Sequence, residues 1–240
     1  MKGPAGARSR LVIAMDGPSG VGKTTVARAV AARLGYSYVE SGAMYRAIAL
    51  LALENGIASD DAAALGRLAA AADIRFVPSP EGNRLLLNGR DVTDAIRSPE
   101  VTRMSSFVST HAAVRARMVE RQRVLGAAGG VVMEGRDIGT VVFPDADLKI
   151  FLDAAPQVRG QRRLKDRESA QHSGAESVLN EITERDQRDQ TRAVSPLAPA
   201  ADAVRVDTTH LTAEQVVEQV LKLAESKQTA AASQKRPAGR

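Results

Sequence analysis

A phosphate-binding loop is the sequence feature that most constrains the fold of this chain of 240 residues. The loop matches the pattern G-x-x-x-x-G-K-[ST] in full, with Gly17, Pro18, Ser19, Gly20, Val21, Gly22, Lys23 and Thr24. An unbroken apolar run at 11–15 precedes it, and small and apolar residues at helical spacing over 24–34 follow it. The run predicts a buried parallel strand and the spacing predicts a helix. In this context the loop binds a nucleoside triphosphate.

The residue types in the loop indicate how it would hold a nucleotide. Glycines let successive backbone N–H groups turn toward phosphate oxygens, and the helix N-terminus adds a favourable dipole. Lys23 would reach the β- and γ-phosphates of ATP, which makes it a candidate catalytic residue. The Thr24 hydroxyl would ligate Mg²⁺. Thr25 follows directly and completes the predicted nucleotide-binding set.

Strands and helices alternate along most of the chain, which predicts an α/β fold with a parallel sheet and three layers. Further strands are predicted at 36–39, 130–133, 148–152 and 203–206. Between 74 and 92 the pattern changes to short strands with a turn at Asn88 and Gly89, which is typical of a small antiparallel sheet. We therefore predict one domain over 11–225, with a core at 11–67 and 108–225 and an insert at about 68–107.

Helix boundaries are predicted from capping residues. Ser98 is the expected N-cap of a helix whose first residue is Pro99. This helical pattern continues to about residue 125, with a break near 109–110. Two highly charged helices are predicted at 156–167 and 175–190, and a last helix at 211–224.

Both ends of the chain are basic and poor in large apolar residues. Residues 1–10 and 226–240 hold seven basic residues and no acidic one, so the chain between them has a net charge of −2, against +5 for the whole chain. We predict disordered tails, and a body without a basic face for nucleic acid. Cysteine is absent, which excludes disulfides and thiolate metal sites, and no apolar run is long enough to cross a membrane. We expect a cytoplasmic monomer that binds small molecules.

Three classes of protein that carry such a loop can be compared. A GTPase would carry Asn-Lys-x-Asp to read guanine, but no Asn in the chain precedes a Lys. A helicase or another nucleic-acid-dependent ATPase usually has an acidic pair after a strand, and no Asp-Glu dipeptide occurs. A small-molecule kinase needs a second anion site beside the loop, and the sequence contains the residues for one.

Several polar residues follow strands at one edge of the predicted sheet. Ser41 and Arg46 come after the strand at 36–39, and Arg136 and Asp137 come after the strand at 130–133. Ligands of open α/β sheets bind outside the carboxyl ends of the strands, which places these residues beside Lys23. Two arginines there fit the phosphate of an acceptor substrate and favour a small-molecule kinase.

A run of basic residues at about 157–168 is typical of a lid. It contains Arg159 and Arg163, and either could reach the transferred phosphoryl group when the lid closes. Closure would also exclude water and so protect ATP from hydrolysis. The sequence does not choose between the two arginines.

Four segments of the chain resemble bacterial cytidylate kinases. They are the loop at 17–25, the segment Ser-Gly-Ala-Met-Tyr-Arg at 41–46, the segment at 135–144, and the segment Glu-Arg-Asp-Gln-Arg-Asp-Gln-Thr-Arg at 184–192. The similarity runs from about residue 11 to 224, and the insert lies where that family has an enlarged monophosphate-binding insert. The resemblance implies a P-loop NTPase fold with that insert and a short lid. It also implies the reaction ATP + (d)CMP → ADP + (d)CDP with Mg²⁺.

The resemblance implies roles for residues outside the loop. The residues around the CMP phosphate would be Ser41, Arg46 and Arg136. The residues that read cytosine would be Ser106, Arg115, Asp137 and Arg192. The residues that hold the sugar would be Arg185 and Asp189.

Base recognition has a chemical reason. Cytosine presents an amino donor where uracil presents a carbonyl acceptor, so the carboxylate of Asp137 is the candidate for discrimination. Arg188 lies off the helical face shared by the other implied residues of its segment, and we assign it to a self-paired charged surface of the helix. A kinase of another small acceptor (UMP, AMP or shikimate) and a partner-dependent P-loop ATPase stay as alternatives.

Overall fold

The computed structural model describes residues 10–79, 82–168 and 175–234. Its main sheet has five parallel strands in the order β2-β6-β1-β7-β8. These strands are β1 (Val12–Asp16), β2 (Ser37–Glu40), β6 (Val131–Gly135), β7 (Leu148–Asp153) and β8 (Val204–Asp207). A second sheet of three antiparallel strands contains β3 (Ile74–Ser79), β4 (Gly82–Leu87) and β5 (Arg90–Asp91).

Helices separate the strands along the chain. They are α1 (Lys23–Leu34), α2 (Ser41–Glu54), α3 (Ala62–Ala71), α4 (Pro99–Val108), α5 (Ala112–Gly126), α6 (Pro156–Glu168), α7 (Ala175–Thr191) and α8 (Ala213–Gln234). Ser98 caps α4 by accepting the N–H of Val101 at 3.2 Å, as predicted. The predicted break near 109–110 is also confirmed, since α4 ends at Val108. Residues 169–174, between the two charged helices, lie outside the described residues.

The apolar run before the loop forms the centre of the main sheet. Residues 12–15 of β1 are completely buried, because helices cover both faces of the sheet. Ile13 packs in a cluster with Val30 and Val217, while Ala14 packs in another with Ile138. Alternate residues of β1 thus face opposite layers, which is the arrangement predicted from the unbroken run. The three-layer α/β prediction is confirmed.

The residues predicted as an insert carry the small sheet. Its turn uses Asn88 at φ 50° and Gly89 at φ 81°, the left-handed pair that a tight hairpin requires. Leu85 and Leu87 of β4 pack in one core cluster with Met44 of α2 and Met118 of α5. The small sheet is therefore stabilised by packing against α2 and α5.

The structure describes residue 10 and residues 226–234 of the segments predicted as disordered tails. Helix α8 runs to Gln234, so the prediction of a disordered tail from 226 is wrong for 226–234. These residues are mostly good helix formers, and extending an existing helix costs little. Gln228 also donates to the hydroxyl of Tyr36 at 2.9 Å. At the other end, Arg10 donates to the carbonyl of Gly35 and lies 4.8 Å from the centre of the Tyr36 ring.

No helix in the described ranges has both the length and the apolar character that crossing a bilayer requires.

Candidate functional site

The phosphate-binding loop takes a backbone path that needs its glycines. Gly20 has φ 79°, and a Cβ there would lie 2.8 Å from the carbonyl oxygen of Arg159. Gly17 leaves equally little room, since a Cβ would lie 2.2 Å from the carbonyl oxygen of Leu152. The loop is therefore pressed against β7 and α6, and its close approach to Arg159 brings the predicted lid helix to the nucleotide site.

Lys23 is buried at the start of α1. Its ammonium donates to the carbonyl of Pro18 at 2.6 Å, which folds the side chain back over the loop. Burial, and next the charge of Arg136, lower the pKa of Lys23 to about 7. A phosphate anion placed here would restore the charged form of Lys23.

Thr24 and Glu134 meet beside Lys23. The Thr24 hydroxyl donates to Oε1 of Glu134 at 2.6 Å, and the hydroxyl of Tyr38 donates to the same oxygen at 2.7 Å. Burial, and next the charge of Glu40, raise the pKa of Glu134. The Thr24 hydroxyl at the start of α1 and the Glu134 carboxylate near the end of β6 thus lie side by side. No cluster of three or more His, Cys, Asp or Glu side chains suited to a metal occurs in the described part of the chain.

Asp186 is a residue of this site that the sequence did not reveal. One of its oxygens accepts the N–H of Ser19 at 3.0 Å, and the other accepts from Arg159. Arg159 also donates to the carbonyl of Ser19 at 3.1 Å. Helix α7 therefore places a carboxylate on the loop itself, next to the lid arginine.

The other basic residues of α6 have different surroundings. Arg162 donates to both the hydroxyl and the carbonyl of Thr208, at 2.8 and 2.7 Å, and so ties the helix to the end of β8. Burial is the largest cause that lowers the pKa of Arg185, and the charge of Arg163 is a smaller one. Arg159, by contrast, contacts the loop directly.

Ser41 lies where β2 passes directly into α2. The extended backbone of Glu40 precedes the helix as its N-cap, so Ser41 is the first helical residue. Its hydroxyl is close enough to Gly135 that a Cβ there would come within 2.5 Å of Oγ. Arg46, one turn later, pairs with Glu40. The start of α2 and the end of β6 therefore meet, as predicted.

Arg136 links the end of β6 to α7. Its Nε donates to Oδ2 of Asp189 at 2.8 Å, although the two residues are far apart in the sequence. The burial of Arg185 and the nearby charge of Arg136 lower the pKa of Arg185 to about 10. Three of the residues implied for the phosphate and the sugar are thus in one cluster.

Arg115 and Asp137 form an almost completely buried ion pair. Arg115 also donates to the carbonyl of Ser109 at 3.0 Å, at the end of α4. Arg192 lies on the other side, with Nη2 3.6 Å from Asp137 and Nη1 3.7 Å from Asp189. The residues implied for the base therefore adjoin those implied for the sugar.

Several arginines that were predicted to bind the substrate have buried N–H groups without a hydrogen-bond partner. Among the described residues these are Nε of Arg46, Nε of Arg115, Nε of Arg185 and Nη2 of Arg192. A buried donor left unsatisfied costs about 1–3 kcal/mol. Arg115 and Arg192 both contact Asp137, and unsatisfied donors of this kind fit an anionic or strongly accepting ligand.

The assignment of Arg188 to a self-paired charged helix surface is confirmed only in part. Glu184 lies 3.9 Å away, one turn earlier, but Arg188 also contacts α4. Its Nε donates to Oγ of Ser106 at 3.0 Å, and its guanidinium lies 4.9 Å from the centre of the Phe107 ring. Helical spacing placed it off the shared face, but its side chain reaches Ser106 and Phe107 of α4. Only the tertiary packing of the two helices could reveal this contact.

Comparisons with known proteins agree with the resemblance of the motifs. The family model for cytidylate kinase matches residues 13–226. A cytidylate kinase of Pelotomaculum thermopropionicum is 49% identical over 211 residues, which cover 87% of this chain and 93% of the relative. A cytidylate kinase of Exiguobacterium sibiricum is 46% identical over 217 residues, which cover 90% and 97%.

A solved structure of an uncharacterized protein from Eubacterium ventriosum covers 90% of this chain and 99% of its own, with 11% identity and a TM-score of 0.50. At that identity it supports the fold alone. The family match covers most of the chain and includes the loop, the insert and the arginine cluster. The chain belongs to the cytidylate kinase family.

Proposed function

We propose that this protein is a cytoplasmic, monomeric kinase that transfers the γ-phosphoryl group of ATP to CMP and dCMP. The observation that carries the proposal is the group of buried, unsatisfied arginine donors beside the phosphate-binding loop. Membership of the cytidylate kinase family supports the choice of acceptor.

The donor site would hold ATP and Mg²⁺. Loop N–H groups and Lys23 fit the phosphates, and Thr24 with Glu134 offers the hard oxygen ligands that Mg²⁺ prefers. Mg²⁺ usually keeps waters and binds through one or two protein oxygens and the substrate phosphates, so the absence of a larger acidic cluster is no obstacle. When bound, it would neutralise charge on the β- and γ-phosphates.

The acceptor site would hold the monophosphate. Ser41, Arg46 and Arg136 are proposed to bind its phosphate, with Arg185 and Asp189 on the sugar. Ser106, Arg115, Asp137 and Arg192 are proposed to read the base. The buried carboxylate of Asp137 would accept from an amino group at the pyrimidine edge and repel a carbonyl oxygen there.

The chemistry needs positioning more than acid–base help. An oxygen of the CMP phosphate forms a bond to the γ-phosphorus while the bond to the β–γ bridging oxygen breaks, and ADP leaves. The attacking oxygen is already anionic, so no general base is required. Lys23, Arg136, Arg159 and Arg163 would stabilise the charge on the transferred group, and closure of α6 would exclude water.

An acceptor panel tests the proposal directly. ADP formation from ATP and Mg²⁺ is measured with CMP, dCMP, UMP, AMP, GMP and shikimate. We expect fast turnover with CMP and dCMP. Turnover with a different acceptor would keep the donor site and reject the base assignments. No turnover with any acceptor would favour a partner-dependent ATPase.

Asp137→Asn tests how the base is read. An amide can donate to the O4 carbonyl of uracil, so we expect the preference for CMP over UMP to narrow by about tenfold, as expected for one correctly placed contact. The ratio of kcat/KM for the two acceptors measures this. A ratio equal to the parent's would place base discrimination elsewhere.

A further inference from the structure

Arg188 joins two helices that carry different parts of the proposed base site. It extends from α7, and its Nε donates to the hydroxyl of Ser106 on α4 at 3.0 Å. Its guanidinium also covers the ring of Phe107 at 4.9 Å. The side chain is one-third exposed, while Ser106 is buried. The contact thus orders a buried hydroxyl from outside the pocket.

The hydroxyl of Ser106 differs from those of its neighbours on the same helix. Ser105 donates to the carbonyl of Thr102 at 2.8 Å, and Ser109 donates to the carbonyl of Ser106 at 3.1 Å. Both follow the usual habit of a helical serine, which returns its proton to the preceding turn. Ser106 instead accepts from a charged donor, which directs its own proton away from Arg188.

The end of α4 is tied to the proposed base-reading pair. Arg115 donates to the carbonyl of Ser109 at 3.0 Å and pairs with Asp137. Ser106 lies one turn before Ser109, so its hydroxyl is held on the same side of the pocket as the base-reading groups. An effect of Arg188 on Ser106 is therefore expected at the base, and not at the phosphates.

We infer that Arg188 is a positioning residue that fixes the Ser106 hydroxyl as a hydrogen-bond donor to the pyrimidine. The inference rests on the proposed function. Cytosine has an acceptor nitrogen at position 3, where uracil has an N–H donor. A hydroxyl that is free to rotate can serve either base. Accepting from Arg188 occupies one of its two lone pairs, so the orientations that remain favour donation to cytosine more than those of a free hydroxyl. Arg188 thereby contributes to the preference for CMP over UMP.

Two substitutions at this position separate the donor from the charge and the packing. Arg188→Gln places an amide nitrogen the same number of bonds from the backbone as Nε of arginine. Arg188→Met places a methyl group there and keeps an apolar stem against Phe107. We expect the CMP/UMP ratio of kcat/KM to fall roughly fivefold in Arg188→Met, as for the loss of one hydrogen bond. In Arg188→Gln it should stay within about twofold of the parent's.

A double-mutant cycle identifies the partner. In a Ser106→Ala background, Arg188→Met should change the ratio no further, because the hydroxyl that it orients is gone. Glu184→Gln is the matched control: Glu184 is 70% exposed, its carboxylate lies 3.9 Å from Arg188, and its loss should leave the ratio unchanged. If Arg188→Met does not fold, Arg188→Gln against Ser106→Ala decides, since an equal loss of the ratio in both overturns the inference.

The outcomes separate this inference from the proposed function. An intact protein that does not use CMP rejects the function itself. An intact protein that uses CMP, together with an Arg188→Met variant of parental ratio, rejects only the role of Arg188. Equal losses in Arg188→Met and Arg188→Gln, or a loss of kcat for CMP and UMP alike, would indicate a role of charge or packing and would also overturn it.

Discussion

Arg115 and Asp137 form an ion pair that is buried almost completely, with 2% and 7% of their side chains exposed. Arg115→Met would keep most of the side-chain volume but leave the Asp137 carboxylate without its nearest cation. Breaking such a pair by removing one partner costs about 3–5 kcal/mol, because a buried charge is left uncompensated. Arg192 remains 3.6 Å away, so we expect a loss near the lower end, about 3 kcal/mol.

The double variant Arg115→Met/Asp137→Asn tests whether the loss comes from the stranded charge. It removes the carboxylate charge as well, so we expect at least half of the lost stability to return. The assay is urea unfolding of the parent, the single variant and the double variant at pH 7, followed by circular dichroism. Both variants should stay poor with CMP, because the proposed base contacts are missing in each. Recovery of stability without recovery of activity separates the two roles.

Two results would refute this reasoning. A single variant within about 1 kcal/mol of the parent would mean that water or Arg192 already compensates Asp137. A double variant no more stable than the single one would mean that Arg115 acts through its packing on Tyr45, whose ring centre lies 5.5 Å from the guanidinium.

Lys23 and Gly126 give two further predictions. The pKa of Lys23 is lowered to about 7, against about 10.4 for an unfolded lysine, so the folded state binds fewer protons and the parent's stability rises with pH across that window. Lys23→Met removes the cost of burying this charge. Thermal unfolding without nucleotide should therefore show a Tm above the parent's below pH 7, with a gain that shrinks toward pH 10, while kcat falls by orders of magnitude. A Tm below the parent's at every pH would contradict this. Gly126→Ala would place a Cβ 2.4 Å from the Phe143 ring, so we expect a loss of about 1–3 kcal/mol in urea unfolding. Unchanged stability would show that the ring can move aside.

Contiguous signals predicted local structure well. The phosphate-binding loop, the Ser98 cap and the turn at Asn88 and Gly89 each depend on residues that are adjacent or nearly so. Their geometry follows from the backbone preferences of those residues. The last helix was predicted too short, because the contact that accompanies its extension joins residues far apart in the sequence. Its extension to Gln234 is accompanied by a contact between Gln228 and Tyr36, residues at opposite ends of the chain.

In the candidate site, too, the features that follow from local sequence were predictable and the long-range contacts were not. The edge of the sheet where Ser41 and Arg136 meet could be predicted, since parallel strands bring their carboxyl ends together. Asp186 on the N–H of Ser19 could not be, because the two residues are 167 positions apart and no local pattern connects them. The roles assigned to individual side chains of the acceptor site stay predictions until they are tested.

The sequence by itself determined the fold class, the nucleotide loop and the family, because each is encoded in short motifs whose spacing fixes strand, turn and helix. The tertiary structure decided which charges meet. Helical periodicity placed Arg188 on a self-paired charged surface, where Glu184 does lie 3.9 Å from it, and only the tertiary structure placed its Nε on Ser106 of α4. A hydrogen bond between helices depends on their relative position, which is set by the whole core and cannot be read from either segment alone.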